Sequence, residues 1–134
     1  MEIPIRKFRI STVAKDQLIR LKRFTGIGQW NILCRWAFMR SLAEPTKPSP
    51  APLPGMSNVE MSWEVFAGPW GDVLWMLLRE RCHQDGFATD DEVLVEQFRL
   101  HIHRGISYLA TDGIKHVEDL IALPSKLQLE ATSV

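Results

Sequence analysis

The segment from about Gln29 to Ala43 constrains this chain most tightly. It carries Trp30, Ile32, Leu33, Cys34, Trp36, Ala37, Phe38, Met39 and Leu42, which at helical pitch point in nearly every direction. A helix with so little polar surface is buried on all sides when folded. In a chain of 134 residues the other elements can hardly surround it alone, so a partner subunit is expected to cover part of it. The sequence therefore predicts a homo-oligomer, a dimer or tetramer, built around residues 30–42.

The flanking segments are read as a small, mainly α domain. Residues 5–10 are β-prone, with Phe8 and Ile10 on one side and Lys7 and Arg9 on the other. Ser11 or Thr12 then caps a first helix that runs to about Phe24 and stops at Gly26 and Gly28. Its broad apolar face is read as Val13, Ala14, Leu18, Leu21 and Phe24, with Lys15, Lys22 and Arg23 opposite and Arg20 at the margin. Five of the eight prolines fall between Pro45 and Pro54, an extended connector. Alternation over Asn58–Phe66 suggests a short strand or extended segment. A third helix is expected from Pro69 or Gly71 to His83. A capping box at Thr89-Asp90-Asp91-Glu92 opens a fourth, which reaches about Ala110, and its Gly105 permits close packing. The expected architecture is a compact four-helix domain over 1–110, with a ribbon-helix-helix-like start. Residues 111–134 are read as a tail that is weakly helical, about 115–122, or disordered.

Net charge is zero, but it is unevenly distributed. Residues 1–42 hold nine Lys and Arg against Glu2 and Asp16, a balance of +7; the other 92 residues hold seven basic and fourteen acidic side chains, a balance of −7. A basic end on a neutral protein suits phosphate contact, and the acidic end limits indiscriminate binding. The Met-Glu-Ile-Pro-Ile-Arg start has no secretory apolar core, and no apolar run approaches the roughly 18 residues that span a bilayer. Isolated Cys34 and Cys82 read as reduced, buried thiols, so a cytoplasmic location without membrane association is expected.

No catalytic constellation is visible. Gly26-Ile-Gly28 lacks the third glycine of a dinucleotide fingerprint and reads as a turn between helices. His101 and His103, two apart on a helix, diverge by about 160° and cannot share a metal. In Cys82-His83 with Asp85, adjacent helical residues also diverge, and a helix C-terminus disfavours a thiolate. Arg99 and Arg104 flank the histidines as surface residues or a second anion contact. Arg35, four after Asn31, reads as a buried or interfacial hydrogen-bonding residue. No metal, organic cofactor or catalytic residue is assigned. What remains is a basic strand and first helix suited to duplex backbone: Lys7, Arg9, Lys15, Arg20, Lys22 and Arg23.

Six ordered stretches resemble the DndE family: Leu-Lys-Arg-Phe-Thr-Gly-Ile (21–27), Trp-Asn-Ile-Leu-Cys-Arg-Trp-Ala-Phe (30–38), Ser-Leu-Ala-Glu-Pro (41–45), Ser-Asn-Val-Glu-Met-Ser-Trp (57–63), Arg-Cys-His-Gln-Asp-Gly (81–86) and Phe-Arg-Leu-His-Ile-His-Arg-Gly-Ile (98–106). They cover the chain from about Phe8 to Ala110. The resemblance implies an accessory protein of DNA phosphorothioation, in which sulfur replaces a non-bridging phosphate oxygen. It also implies an oligomer that binds duplex DNA, notably nicked DNA, through surface lysines, alongside other phosphorothioation proteins. Lys22, with Arg23 beside it, falls on the matching positions; Lys7, Arg9, Lys15 and Arg20 come from the charge pattern alone. Two alternatives stay open. The strand–helix–helix start also suits a ribbon-helix-helix regulator reading bases with Lys7 and Arg9. The family setting also admits a weak DNA nickase.

Overall fold

A computed structural model describes residues 2–50, 52 and 55–132. Of the proline-rich connector, residues 51, 53 and 54 lie outside the described residues; the described part contains neither helix nor strand. The chain is mainly helical with one short antiparallel ribbon. In order come β1 (Lys7–Ser11), α1 (Thr12–Thr25), α2 (Trp30–Leu42), β2 (Met56–Ser62), α3 (Trp63–Ala67), a 3₁₀ turn Gly68–Trp70, α4 (Gly71–Gln84), α5 (Asp91–Thr111) and α6 (Val117–Thr132).

The four expected helices are α1, α2, α4 and α5, and two more join them. The first addition cuts short the strand expected over Asn58–Phe66. Ser62 Oγ accepts the Val65 N–H at 3.1 Å, a cap that turns Trp63, Val65 and Phe66 into the short helix α3. The second is α6, where a weak turn and polar tail were expected. Asp119 Oδ2 accepts the Lys115 and His116 N–H groups at 2.9 and 3.0 Å, fixing its start. Leu120 and Leu123 are buried, and α6 continues through Pro124.

β1 pairs with β2 of the same chain, Lys7 opposite Ser62, Phe8 opposite Met61 and Arg9 opposite Glu60. The register breaks between Arg9 and Ser11. Ser57 fills the irregularity: its hydroxyl donates to the Ile10 carbonyl at 2.8 Å and accepts the Val59 N–H at 3.0 Å. At the next residue Ser11 Oγ accepts the Ala14 N–H at 3.1 Å, and Gly26 at φ 75° closes α1.

The core is aromatic at its centre. Phe8, Phe38, Phe66, Phe98, Trp63 and Trp75 pack mostly edge to face, with ring centroids 5.0–5.9 Å apart. α5 lies directly across α2, and Gly105 faces the Ala37 backbone at the crossing.

Two expected faces need correction. On α1 the buried residues are Ala14, Leu18, Leu21 and Thr25; Val13 is 62% and Phe24 39% exposed. The apolar stripe is therefore narrower than the sequence suggests, and Lys15 and Lys22 are half-buried at its edge rather than opposite it. On α2 only Leu33, Cys34, Ala37, Phe38 and Ser41 are buried, so one chain covers one side of that helix. Ile32, Arg35, Trp36 and Met39 line an open, largely apolar groove on the other.

Candidate nucleic-acid interface

Of the six cations singled out by sequence, two lie on β1 and four on α1. Lys7 and Arg9 leave β1 on its exposed face and both meet Glu60 across the ribbon, at 3.5 and 2.8 Å. The Arg9 hydrogen bond, with the charge of Lys7, holds the Glu60 carboxyl below its ordinary value. Lys15 Nζ donates to Asn58 Oδ1 at 2.7 Å. At about 100° per residue, Lys15 and Lys22 fall on the same edge of α1. The Lys22 ammonium sits 3.8 Å from the centre of the Trp30 ring, which fixes that side chain at the α1–α2 turn. Arg23 points outward and Arg20 lies on the opposite flank; both are exposed. Among the described residues, none of Lys15, Arg20, Lys22 and Arg23 is paired with a carboxylate.

The arginines after residue 42 are largely committed internally. Arg104 is a structural residue, in contrast to the exposed role expected of it. Its Nε donates to Ser41 Oγ at 2.8 Å, and its terminal nitrogens reach the Ser41 and Thr46 carbonyls at 2.8 and 2.7 Å. Arg81, which sequence reasoning passed over, donates to the Leu42, Glu44 and Thr46 carbonyls and to Asp85. Together they hold the C-terminal end of α2, where unpaired carbonyls favour cations. Arg99 pairs with Glu96 on its own helix. Arg35 donates to the Phe66 carbonyl at 3.1 Å and Asn31 to that of Val65 at 3.1 Å, in line with a hydrogen-bonding role.

The histidines are likewise structural. His103 Nε2 accepts the Ser11 N–H at 3.0 Å, so its Nδ1 carries the proton and donates to the Arg99 carbonyl at 2.8 Å. This bond ties the N-cap of α1 to α5. His101 is fully buried, with Nδ1 2.8 Å from Ser41 Oγ and Nε2 without a partner in the described structure. Burial, then the charges of Arg104 and Arg81, push its pKa down to about 3; burial also lowers that of His103.

Both rings therefore fold in the neutral form. A histidine whose folded pKa is depressed contributes stability that is fully present above the unfolded value, near 6.5, and lost as pH falls toward the folded one. Stability is expected to drop below about pH 6.5, by at most about 1.4 kcal/mol per pH unit for each ring. Denaturant midpoints at pH 7.5 and 5 test this; equal midpoints would reject it.

Cys34 and Cys82 are unpaired and buried. Burial pushes Cys34 up to about 12, and burial with the Asp85 charge pushes Cys82 up to about 11, so both are thiols at neutral pH. His83 is exposed while Cys82 points inward, and Arg81 holds Asp85. Among the described residues no group of three or more His, Cys, Asp or Glu is placed to hold a metal ion. Among the described residues no helix is long and apolar enough to cross a membrane.

The fold and the site together define a small, mainly helical protein in which Lys15, Arg20, Lys22 and Arg23 on α1 have no carboxylate partner among the described residues, while Arg81, Arg104, His101 and His103 are committed to structure. Residues 7–116 match the family described as "DNA sulphur modification protein DndE". The chain belongs to the DndE family. Its fold is similar to the crystal structure of DndE from Escherichia coli B7A involved in DNA phosphorothioation modification. That likeness has 26% identity and a TM-score of 0.63, over 81% of this chain and 99% of that one. It is also similar to a DndE variant with two glycines replaced by lysine, at 24% identity and TM-score 0.60, over 79% and 97% of the two chains. A comparison with curated protein sequences gives no match. The family match ends one residue before α6 begins.

Proposed function

We propose that this protein is an oligomeric accessory of DNA phosphorothioation that grips the backbone of duplex DNA, nicked duplex included, with α1. The observation that carries this reading is the contrast between helix and ribbon. Arg20, Lys22 and Arg23 keep their charge unneutralised, whereas Lys7 and Arg9 share Glu60. Lys15 and Lys22, held by Asn58 and Trp30, are pre-positioned and lose less side-chain freedom on meeting phosphate. Lys7 and Arg9 come second in this set, because phosphate must compete with Glu60 for them. Fluorescence anisotropy on intact and nicked duplexes of unrelated sequence, between about 50 and 200 mM salt, tests it. Similar, steeply salt-dependent affinities are expected for all; binding to one sequence only would favour the ribbon-helix-helix alternative.

In this reading the assembly uses the open side of α2, which supports it with an apolar surface. Ile32, Trp36 and Met39 form an apolar strip there, and Arg35 at its edge is held by the Phe66 carbonyl. Trp36→Glu or Met39→Glu is expected to give monomer by light scattering. Phe38, fully enclosed in its own subunit, is unsuitable for this test because a charge there would unfold the chain. A wild type that is monomeric at micromolar concentration rules the assembly out.

A further inference from the structure

The outer side of α4 is apolar along much of its length. Leu74, Trp75, Leu78 and Cys82 are buried in the core, whereas Val73, Met76 and Leu77 are 39–57% exposed. Trp70, in the turn that leads into the helix, is exposed to the same degree. Large apolar side chains exposed singly are ordinary on a protein surface. Several within two turns of one helix face mark a contact surface.

The charges beside that face identify what covers it. Asp72 and Arg79 are exposed, and neither has an ion-pair partner among the described residues. At about 100° and about 1.5 Å per residue, they fall on one flank of α4, about 10 Å apart along it. A twofold contact needs a patch that complements itself. With a second α4 laid antiparallel and the axis passing between positions 75 and 76, Asp72 of each copy faces Arg79 of the other. The same axis sets Met76 against Met76 and Val73 against Leu77. A parallel pair would instead put like charges together at both ends. We infer that α4 pairs antiparallel with α4 of a second copy of this chain, through residues other than those proposed on α2. One helix face offers less than the roughly 800 Å² per partner of a standard interface, so the contact is weak, with a Kd on the order of 100 µM. It is therefore dissociated in the micromolar measurements that report on α2.

The test is sedimentation velocity on Trp36→Glu, which lacks the α2 contact, between about 10 and about 500 µM. The mass is expected to rise from one chain toward two. Asp72→Arg alone and Arg79→Asp alone each make both symmetry-related pairs repulsive and should weaken pairing about tenfold. Combined, they exchange the charges and should restore pairing to within about threefold of its starting value. Met76→Cys, beside the axis, should form a disulfide between copies on mild oxidation, since Cys34 and Cys82 are buried. Asp72→Cys should not, because its counterpart lies about 10 Å away along the helix. Should Trp36→Glu fail to fold, the same series on wild type should raise the mass above its micromolar value. A mass that never rises overturns the inference, as do single reversals without effect or a double reversal that does not restore pairing. A wild type that is monomeric at micromolar concentration, yet pairs at higher concentration through Asp72 and Arg79, removes the α2 reading and keeps this one.

Discussion

Gly105→Ala is expected to abolish the native crossing of α2 and α5. A Cβ at this position would lie 1.7 Å from the Ala37 carbonyl oxygen and 2.4 Å from its carbonyl carbon. Those are backbone atoms of a helix and cannot rotate aside as a side chain would. Restoring a separation of about 3.5 Å means moving the helices apart. Phe38 on α2 and Phe98 on α5, both at most 1% exposed, would then lose their packing. The cost combines overpacking, about 1–3 kcal/mol and occasionally more, with the gap opened around it. Against a typical stability of about 5–15 kcal/mol, most of the protein should be insoluble, or melt at least about 10 °C lower. Gly28→Ala is the comparison, because no heavy atom lies within 4 Å of a Cβ there. Thermal melts of the two variants decide the matter, and a Gly105→Ala protein that melts with the wild type would show that the crossing can relax.

That contact also marks how far sequence could be read. Gly105 stands out in a run of large residues, and a small residue within a helix stripe signals close approach whatever the partner is. The caps of α1 were legible for the same local reason: Ser11 and Gly26 act on neighbours three and four residues away. Where local signals conflict, the reading failed. Val59, Met61, Trp63 and Val65 alternate as a strand does, yet the Ser62 hydroxyl ends β2 and starts a helix inside that pattern. The weak turn expected over about 115–122 falls short of α6, where Leu120 and Leu123, three apart, carry the helical stripe that the helix buries.

The site was harder to read than the fold, because charges are cancelled across the fold rather than along the chain. Glu60 is 51 residues from Arg9, and nothing local links them. Arg104 and Arg81 look like surface cations in the sequence because their partners are main-chain carbonyls at the end of another helix. Likewise His103 reads as a titratable group until its nitrogens are seen to be occupied by Ser11 and Arg99. On α1 the fold leaves Lys15, Arg20, Lys22 and Arg23 without a carboxylate partner among the described residues.

Removing two of those charges should weaken DNA binding more than any other pair of surface substitutions. Each phosphate contact contributes about 0.9 to the slope of log affinity against log salt. Losing Lys22 and Arg23 should therefore flatten the slope by up to about 1.8 per subunit and cost about 60-fold in affinity at 0.1 M salt. In an oligomer that presents two subunits to one duplex, the loss is doubled on the logarithmic scale. The substitutions should be Lys22→Gln and Arg23→Gln rather than glutamates. A carboxylate at position 22 would face the Trp30 ring that the ammonium now covers at 3.8 Å, adding a structural cost to the electrostatic one. Arg99 and Arg104 cannot serve as the control, since Arg104 secures the end of α2. Arg79, exposed on α4, can. Unrelated sequences, intact or nicked, should lose affinity alike, because phosphate contacts carry no base information. If the double variant keeps the wild-type slope while Arg79→Gln lowers it, DNA meets α4 and not α1.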